Sequence, residues 1–164
     1  MATRSEHLQP AFDSITLQIL DELQADGRLS FRELGDRVGL SAPAVTERVK
    51  RLERDGVITG YQANVDPRAV GYPMLAIIRI HSAGMNASRG GGLTGLIDEL
   101  AEGLPEVVEC HRVTGSESHV LRVRVRDVEH LQEISEKFWE YGDTITNLVT
   151  TTPVSHRAVP LDRR

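Results

Sequence analysis

The chain has 164 residues, 40% of them apolar, with 19 Lys/Arg against 24 Asp/Glu, a net charge of −5 and one cysteine, Cys110. Such a length implies one or two small domains, a single cysteine excludes an internal disulfide and leaves one thiolate for any zinc site, and the expected compartment is the reducing cytoplasm. The longest unbroken apolar run, Met74 to Ile78, falls far short of the ~20 residues of a spanning helix, and no secretory h-region opens the chain, so no membrane partner is expected.

Residues 1–11 lack periodicity and read as a flexible arm. A first helix is expected from Ser14 to Ala25, capped by Asp13, with Ile15, Ile19, Leu20 and Leu23 on one face and Asp26-Gly27 at its end. Ser30-Phe31-Arg32-Glu33 fits the capping box of a second helix, whose core positions are Leu34 and Val38. Gly39 allows the chain to turn with φ > 0. A third helix follows at once, with Ser41 as its N-cap and Pro43 in the first turn, where a missing N–H costs little. Val45, Val49 and Leu52 recur at i, i+4 and i+7 and define its buried face.

After Asp55-Gly56 the period becomes extended, and Val57-Ile58 and Tyr61 to Val65 read as two short strands. Asp66-Pro67 opens a hinge that runs to Gly71-Tyr72-Pro73. Beyond it the pattern is strand, helix, strand, strand, helix, strand: Met74 to Ser82, a glycine loop from Gly84 to Gly92, a stripe from Leu93 to Leu104, Val107 to Thr114, His119 to Asp127, Leu131 to Tyr141, and Ile145 to Val154. That order is the ferredoxin-like βαββαβ arrangement. Leu121, Val123 and Val125 alternate with Arg122, Arg124 and Arg126, so one sheet face belongs under the helices and the other seeks a partner. The expected organisation is an arm at 1–11, a helix-turn-helix domain at 12–66, a hinge at 67–73, a second domain at 74–157 and a tail at 158–164, an α+β chain throughout.

Two helices joined through Gly39-Leu40-Ser41, with a helix before them, match the helix-turn-helix pattern. The third helix would then present its free face and N-terminal end to duplex DNA. Ser41, Ala42, Pro43, Ala44, Thr46 and Glu47 lie nearest base edges. Thr46 suits a thymine methyl and Glu47 a cytosine amine, while Arg48, Lys50, Arg51 and Arg54 lie further along and suit phosphates. Charge alone decides nothing. Residues 1–66 hold eight basic and eleven acidic residues, a net of −3, so any DNA binding depends on local distribution. Basic residues in a last helical turn also simply complement the helix dipole.

The residues now carry a resemblance. The segments ILDELQADGR, ELGDRVGLS, RVKRLE and GVITGY, followed by VVECHRVTG and a hairpin, resemble the Lrp/AsnC (feast/famine) transcriptional regulators from Phe12 to Arg157. A departure is Thr16, where the family usually has an acidic residue. The resemblance implies a sequence-specific DNA-binding regulator with a ferredoxin-like effector domain. It also implies homodimers joined through the sheets and assembled further, often to octamers, and a small effector, usually an amino acid. By motif the effector would meet Thr114, Gly115, Ser116, Glu117, Ser118 and His119 of the hairpin, with Thr150 and Thr152 after the last strand. Where the family commonly has an acidic and then an aromatic residue, this chain has Ser118 and His119, which leaves the effector's identity open. No cofactor or metal and no catalytic residue is expected. Cys110 and His111 are adjacent in a strand and point to opposite faces, and Gly90-Gly91-Gly92 lacks the Gly-Lys-Ser/Thr of a phosphate loop. The alternatives are an enzyme resembling the siroheme decarboxylases, which would recruit His111, Arg112 and His119, or an assembly module that no longer reads DNA.

Overall fold

The computed structural model describes residues 12–81, 92–155 and 157–161. The expected arm at 1–11, most of the glycine loop and His156 lie outside these residues. The chain divides into two compact units, one ending at Ala63 and resuming at Val154, the other spanning Asn64–Pro153. The division falls just before the expected Asp66 boundary. The segment from Val154 goes with the first unit because the Gln24 amide brackets the Val159 backbone: Val159 N–H donates to Oε1 at 2.7 Å, and Nε2 donates to the carbonyl at 3.2 Å.

In the first unit α1 is Ser14–Ala25, α2 is Phe31–Val38 and α3 is Ala42–Arg54. Asp13 caps α1, accepting from Thr16 N–H at 2.8 Å. Ser30 and Glu33 form a complete capping box on α2. Gly39 ends α2 in the left-handed region at φ 71°, a conformation that only glycine adopts cheaply. Ser41 has the extended backbone of a cap, yet its hydroxyl makes no capping bond. Ile19, Leu20, Leu34, Val38, Val45, Val49 and Leu52 form one core. The strands expected at Val57-Ile58 and Tyr61 to Val65 are not formed. Val57 and Ile58 instead donate to the Leu52 carbonyl at 2.9 and 3.1 Å, closing the end of α3. The Tyr61 hydroxyl donates to Glu53 at 3.0 Å. Val57-Ile58 bends rather than extends, and residues 59–66 pair with no strand among the described residues.

The second unit contains β1 (Met74–His81), α4 (Leu93–Gly103), β2 (Val107–Arg112), β3 (His119–Val125), α5 (Val128–Glu136), a 3-10 turn at Trp139–Tyr141 and β4 (Asp143–Leu148). The strand order is β2-β3-β1-β4, with every pairing antiparallel. This is the ferredoxin-like fold expected from the element order. Ala76, Ile78 and Ile80 join Leu121, Val123 and Val125 under Ile97, Ala101, Leu131, Ile134 and Phe138. The opposite face carries Ile77, Arg79, Arg122, Arg124, Ile145 and Asn147, as the register requires. β4 is shorter than the expected Ile145 to Val154. Its partner β1 begins at Met74, and the last bond is Val149 N–H to the Leu75 carbonyl at 2.9 Å. Pro153 therefore lies beyond the sheet.

Candidate nucleic-acid interface and effector site

Burial of Val45, Val49 and Leu52 fixes the rotation of α3. Pro43, Glu47, Lys50 and Arg54 then recur along the opposite face, all exposed. With Thr46 and Arg51 they line one shallow depression. Among the described residues, the Glu47 and Lys50 side chains make no hydrogen bond or ion pair. Arg51 and Arg54 share only Asp55, at 3.5 and 3.9 Å, with guanidinium groups about three-quarters exposed. Pairs this loose and this wet contribute little, so both cations are free to exchange Asp55 for a phosphate. The Thr46 hydroxyl donates to the Ala42 carbonyl at 2.7 Å, so its polar end is taken up within the helix. Ala42 and Ala44 are partly exposed and small, and no side chain caps the helix start.

Arg48 is placed differently from the other three cations. One of its guanidinium nitrogens lies 2.9 and 2.7 Å from the two Asp13 oxygens and 2.9 Å from the Thr16 hydroxyl. It points along the flank of α3 toward α1. The bonds from Thr16 and from Arg48 hold the Asp13 carboxyl down to about 2.

The hairpin between β2 and β3 is a network of its own. Gly115 takes φ 123°. Val113 N–H donates to Ser118 at 3.0 Å, and Ser118 N–H donates to Ile80 at 2.8 Å. Glu117 accepts from Ser116 at 2.7 Å and faces Arg79 at 3.5 Å. These contacts, the Ser116 hydroxyl first, hold its carboxyl below the usual range. Thr114, Gly115 and Ser116 are exposed, whereas His119 is fully buried. Its Nδ1 meets the Ser118 hydroxyl at 3.0 Å and its Nε2 meets Asp98 at 3.2 Å. Asp98 also accepts from Arg112. That bond, above all, keeps the Asp98 carboxyl low. Burial pushes the His119 pKa down, against the pull of Asp98.

Thr150 and Thr152 do not join this group within one chain. The hairpin stands where β1 ends, with Ile80 opposite His119. The two threonines follow Leu148, which lies opposite Ala76 near the start of β1. At about 3.4 Å per residue, the length of the strand separates them. Cys110 and His111 do face apart, Cys110 opposite Leu121 and His111 opposite Val120. Among the described residues no group of three His, Cys, Asp or Glu side chains is placed to hold a metal. Reading the sequence did not single out Asp98 or Gly35, and it marked Asp13 only as the cap of α1, not as the partner of Arg48.

Two family models match the chain: a winged helix-turn-helix DNA-binding domain over residues 12–59 and an Lrp/AsnC ligand-binding domain over residues 91–159. The transcriptional regulator LrpC of Bacillus subtilis is 32% identical over 84% of this chain and 90% of its own length. The leucine-responsive regulatory protein of Escherichia coli K12 is 37% identical over 83% of this chain and 77% of its own. Among solved structures, that of B. subtilis LrpC superposes with a TM-score of 0.78 at 31% identity, covering 88% of this chain and 99% of that one. A feast or famine regulatory protein of Mycobacterium tuberculosis complexed with L-methionine gives a TM-score of 0.77 at 34% identity, covering 90% and 97%.

Proposed function

The chain belongs to the Lrp/AsnC family of transcriptional regulators, and from that premise we propose how it divides its work. The start of α3, Ser41 to Glu47, reads base edges in the major groove, and Lys50, Arg51 and Arg54 take phosphates. The observation that carries this reading is the single exposed stripe Pro43, Glu47, Lys50 and Arg54 opposite the buried Val45, Val49 and Leu52. One such stripe neutralises few phosphates, and the chain as a whole is acidic. Specific binding therefore depends on several copies assembled along the duplex, since phosphate contacts add across a symmetric oligomer.

The effector is an amino acid held at the Thr114 to Ser118 turn. A glycine turn offers backbone N–H groups to a carboxylate, and Glu117 offers a carboxylate to an α-ammonium group. Its partner Arg79 must then yield part of the pairing. Support comes from the relative solved with L-methionine. Thr150 and Thr152 reach such a site only from a second copy. That requirement makes the sheet face carrying Ile77, Arg79, Arg122 and Ile145 the natural dimer surface.

The test is selection of duplexes from a randomised pool by the full-length protein, with and without each amino acid. Enrichment of a common sequence, with affinity altered by at least one amino acid, is the expected outcome. Failure to enrich any duplex at any salt concentration would sink the reading.

A further inference from the structure

Four cations crowd the second half of α3, but they do not share a face. At about 100° per residue, Pro43, Glu47, Lys50 and Arg54 cluster within one sector, and Arg48 stands roughly 130° round the helix from its centre. There it lines the open groove of about 740 Å³ against Phe12, Asp13 and Thr16, a groove that Glu47 and Arg51 border on the side of the exposed stripe. α3 packs chiefly on α2, so the groove leaves its α1 side thinly supported. The Arg48 guanidinium crosses that side and binds the Asp13 carboxylate and the Thr16 hydroxyl.

We propose that Arg48 is a positioning residue rather than a DNA contact: with Asp13 it latches α3 to the start of α1, and so sets the angle at which the reading end of α3 meets the groove. The proposal rests on the DNA-reading function above. Two features make the latch stiff. Asp13 is itself fixed as the α1 N-cap by Thr16 N–H at 2.8 Å, so the carboxylate is held before Arg48 arrives. Thr16 gives its N–H to Asp13 and its hydroxyl accepts from Arg48, which ties the first turn of α1 to both members of the pair. An aligned charge-assisted contact of this kind carries orientation as well as attraction. Because sequence is read at the other end of the helix, a small rotation there disturbs base contacts while leaving phosphate contacts nearly intact.

Asp13→Asn separates the latch from its alternatives. Asparagine is as good an N-cap as aspartate, so α1 keeps its start and only the ion pair is lost. It also removes a negative charge from the DNA-binding unit, which by charge alone tightens binding to any duplex. The probe is a duplex selected from a random pool by the wild-type full-length chain, compared with unselected duplex across a salt series. The latch predicts that Asp13→Asn and Arg48→Ala each reduce the preference for the selected duplex at least about fivefold. The double variant should do no worse than either, as expected for two members of one interaction. The slope of log affinity against log salt should stay within about half a unit of wild type, whereas Arg54→Ala lowers it by about one. Circular dichroism and thermal unfolding establish that each variant is folded. The proposal is overturned if Arg48→Ala lowers the slope by about one with the preference kept, or if Asp13→Asn tightens both duplexes alike. It is also overturned if neither variant changes anything. Should the wild type enrich no duplex, the DNA-reading function itself fails, an outcome distinct from all of these.

Discussion

Glycine inside a helix usually invites replacement, since Ala there is favoured by about 1 kcal/mol. Gly35 in α2 should do the reverse. A Cβ on Gly35 would sit 2.5 Å from the backbone carbonyl oxygen of Leu40, where ordinary contact begins at 3.4 Å. About 0.9 Å must therefore be found, and the atoms the Cβ meets, from Leu40 and Ala42, all belong to backbone. The Gly35 carbonyl also accepts from Leu40 N–H at 3.0 Å and from the Gly39 N–H, so the turn that must move is the one these bonds close. Overpacking costs about 1–3 kcal/mol and each weakened bond about 1 kcal/mol. After the helical gain, Gly35→Ala should destabilise the first unit by about 1–3 kcal/mol. For a unit of this size that is a fall of roughly 5–15 °C in Tm. Gly95 in α4 is the control, since nothing lies within 4 Å of a Cβ built there. Gly95→Ala should be neutral or stabilising by up to about 1 kcal/mol. Calorimetry on both variants decides the matter. A Gly35→Ala protein as stable as wild type, still selecting the same duplex, would refute the argument that this close approach sets the turn.

Lys50→Ala should lower the salt slope of DNA binding by about one and weaken selected and random duplexes alike; an unchanged slope in a folded variant removes Lys50 from the interface. His119 is fully buried, and burial depresses its pKa below the ordinary 6.5. The unfolded chain thus binds this proton more readily than the folded one, so stability is full above pH 6.5 and is lost as pH falls from there through the lower folded value. His119→Phe should flatten the fall in Tm as pH drops below 6.5; an equal fall in wild type and variant would assign that dependence elsewhere. Phe138 is completely buried in the second core, and Phe138→Ala should cost about 3–5 kcal/mol, read from denaturant unfolding. A thermal-shift screen over the amino acids should raise Tm for at least one of them, by mass action, and Glu117→Ala should erase that shift.

Much of the fold was legible because local signals agreed with each other. Asp13 and Ser30 mark helix starts by their side-chain oxygens and Gly39 marks a helix end by its freedom to take positive φ, and α1 runs from Ser14 to Ala25 in both sequence and structure. Alternation along β3 sorted Leu121 and Val123 from Arg122 and Arg124 for the same reason. What failed was whatever depends on a partner elsewhere. The strands read at Val57 and Tyr61 find no sheet neighbour among the described residues, and Val57-Ile58 instead folds back on the Leu52 carbonyl, while β4 stops where β1 begins. At the candidate sites, type was easier to read than direction. Arg48 looked like its neighbours because the cluster was counted along the chain, whereas its position around the helix sets it toward Asp13. Asp98 and His119 are 21 residues apart, and no periodicity tells which helical carboxylate will turn toward a strand imidazole. Thr150 was grouped with the hairpin by resemblance to a site formed between copies, and within one chain the sheet register puts the two at opposite ends.

The central claim is that the start of α3, Ser41 to Glu47, reads sequence and its basic end grips backbone. Duplex selection by wild type, Glu47→Gln and Lys50→Ala tests it in a single measurement, the recovered consensus. The account predicts that Glu47→Gln changes the preferred base at one or two positions, while Lys50→Ala recovers the wild-type consensus from a more weakly bound pool. A consensus indifferent to Glu47 but altered by Lys50 would contradict it.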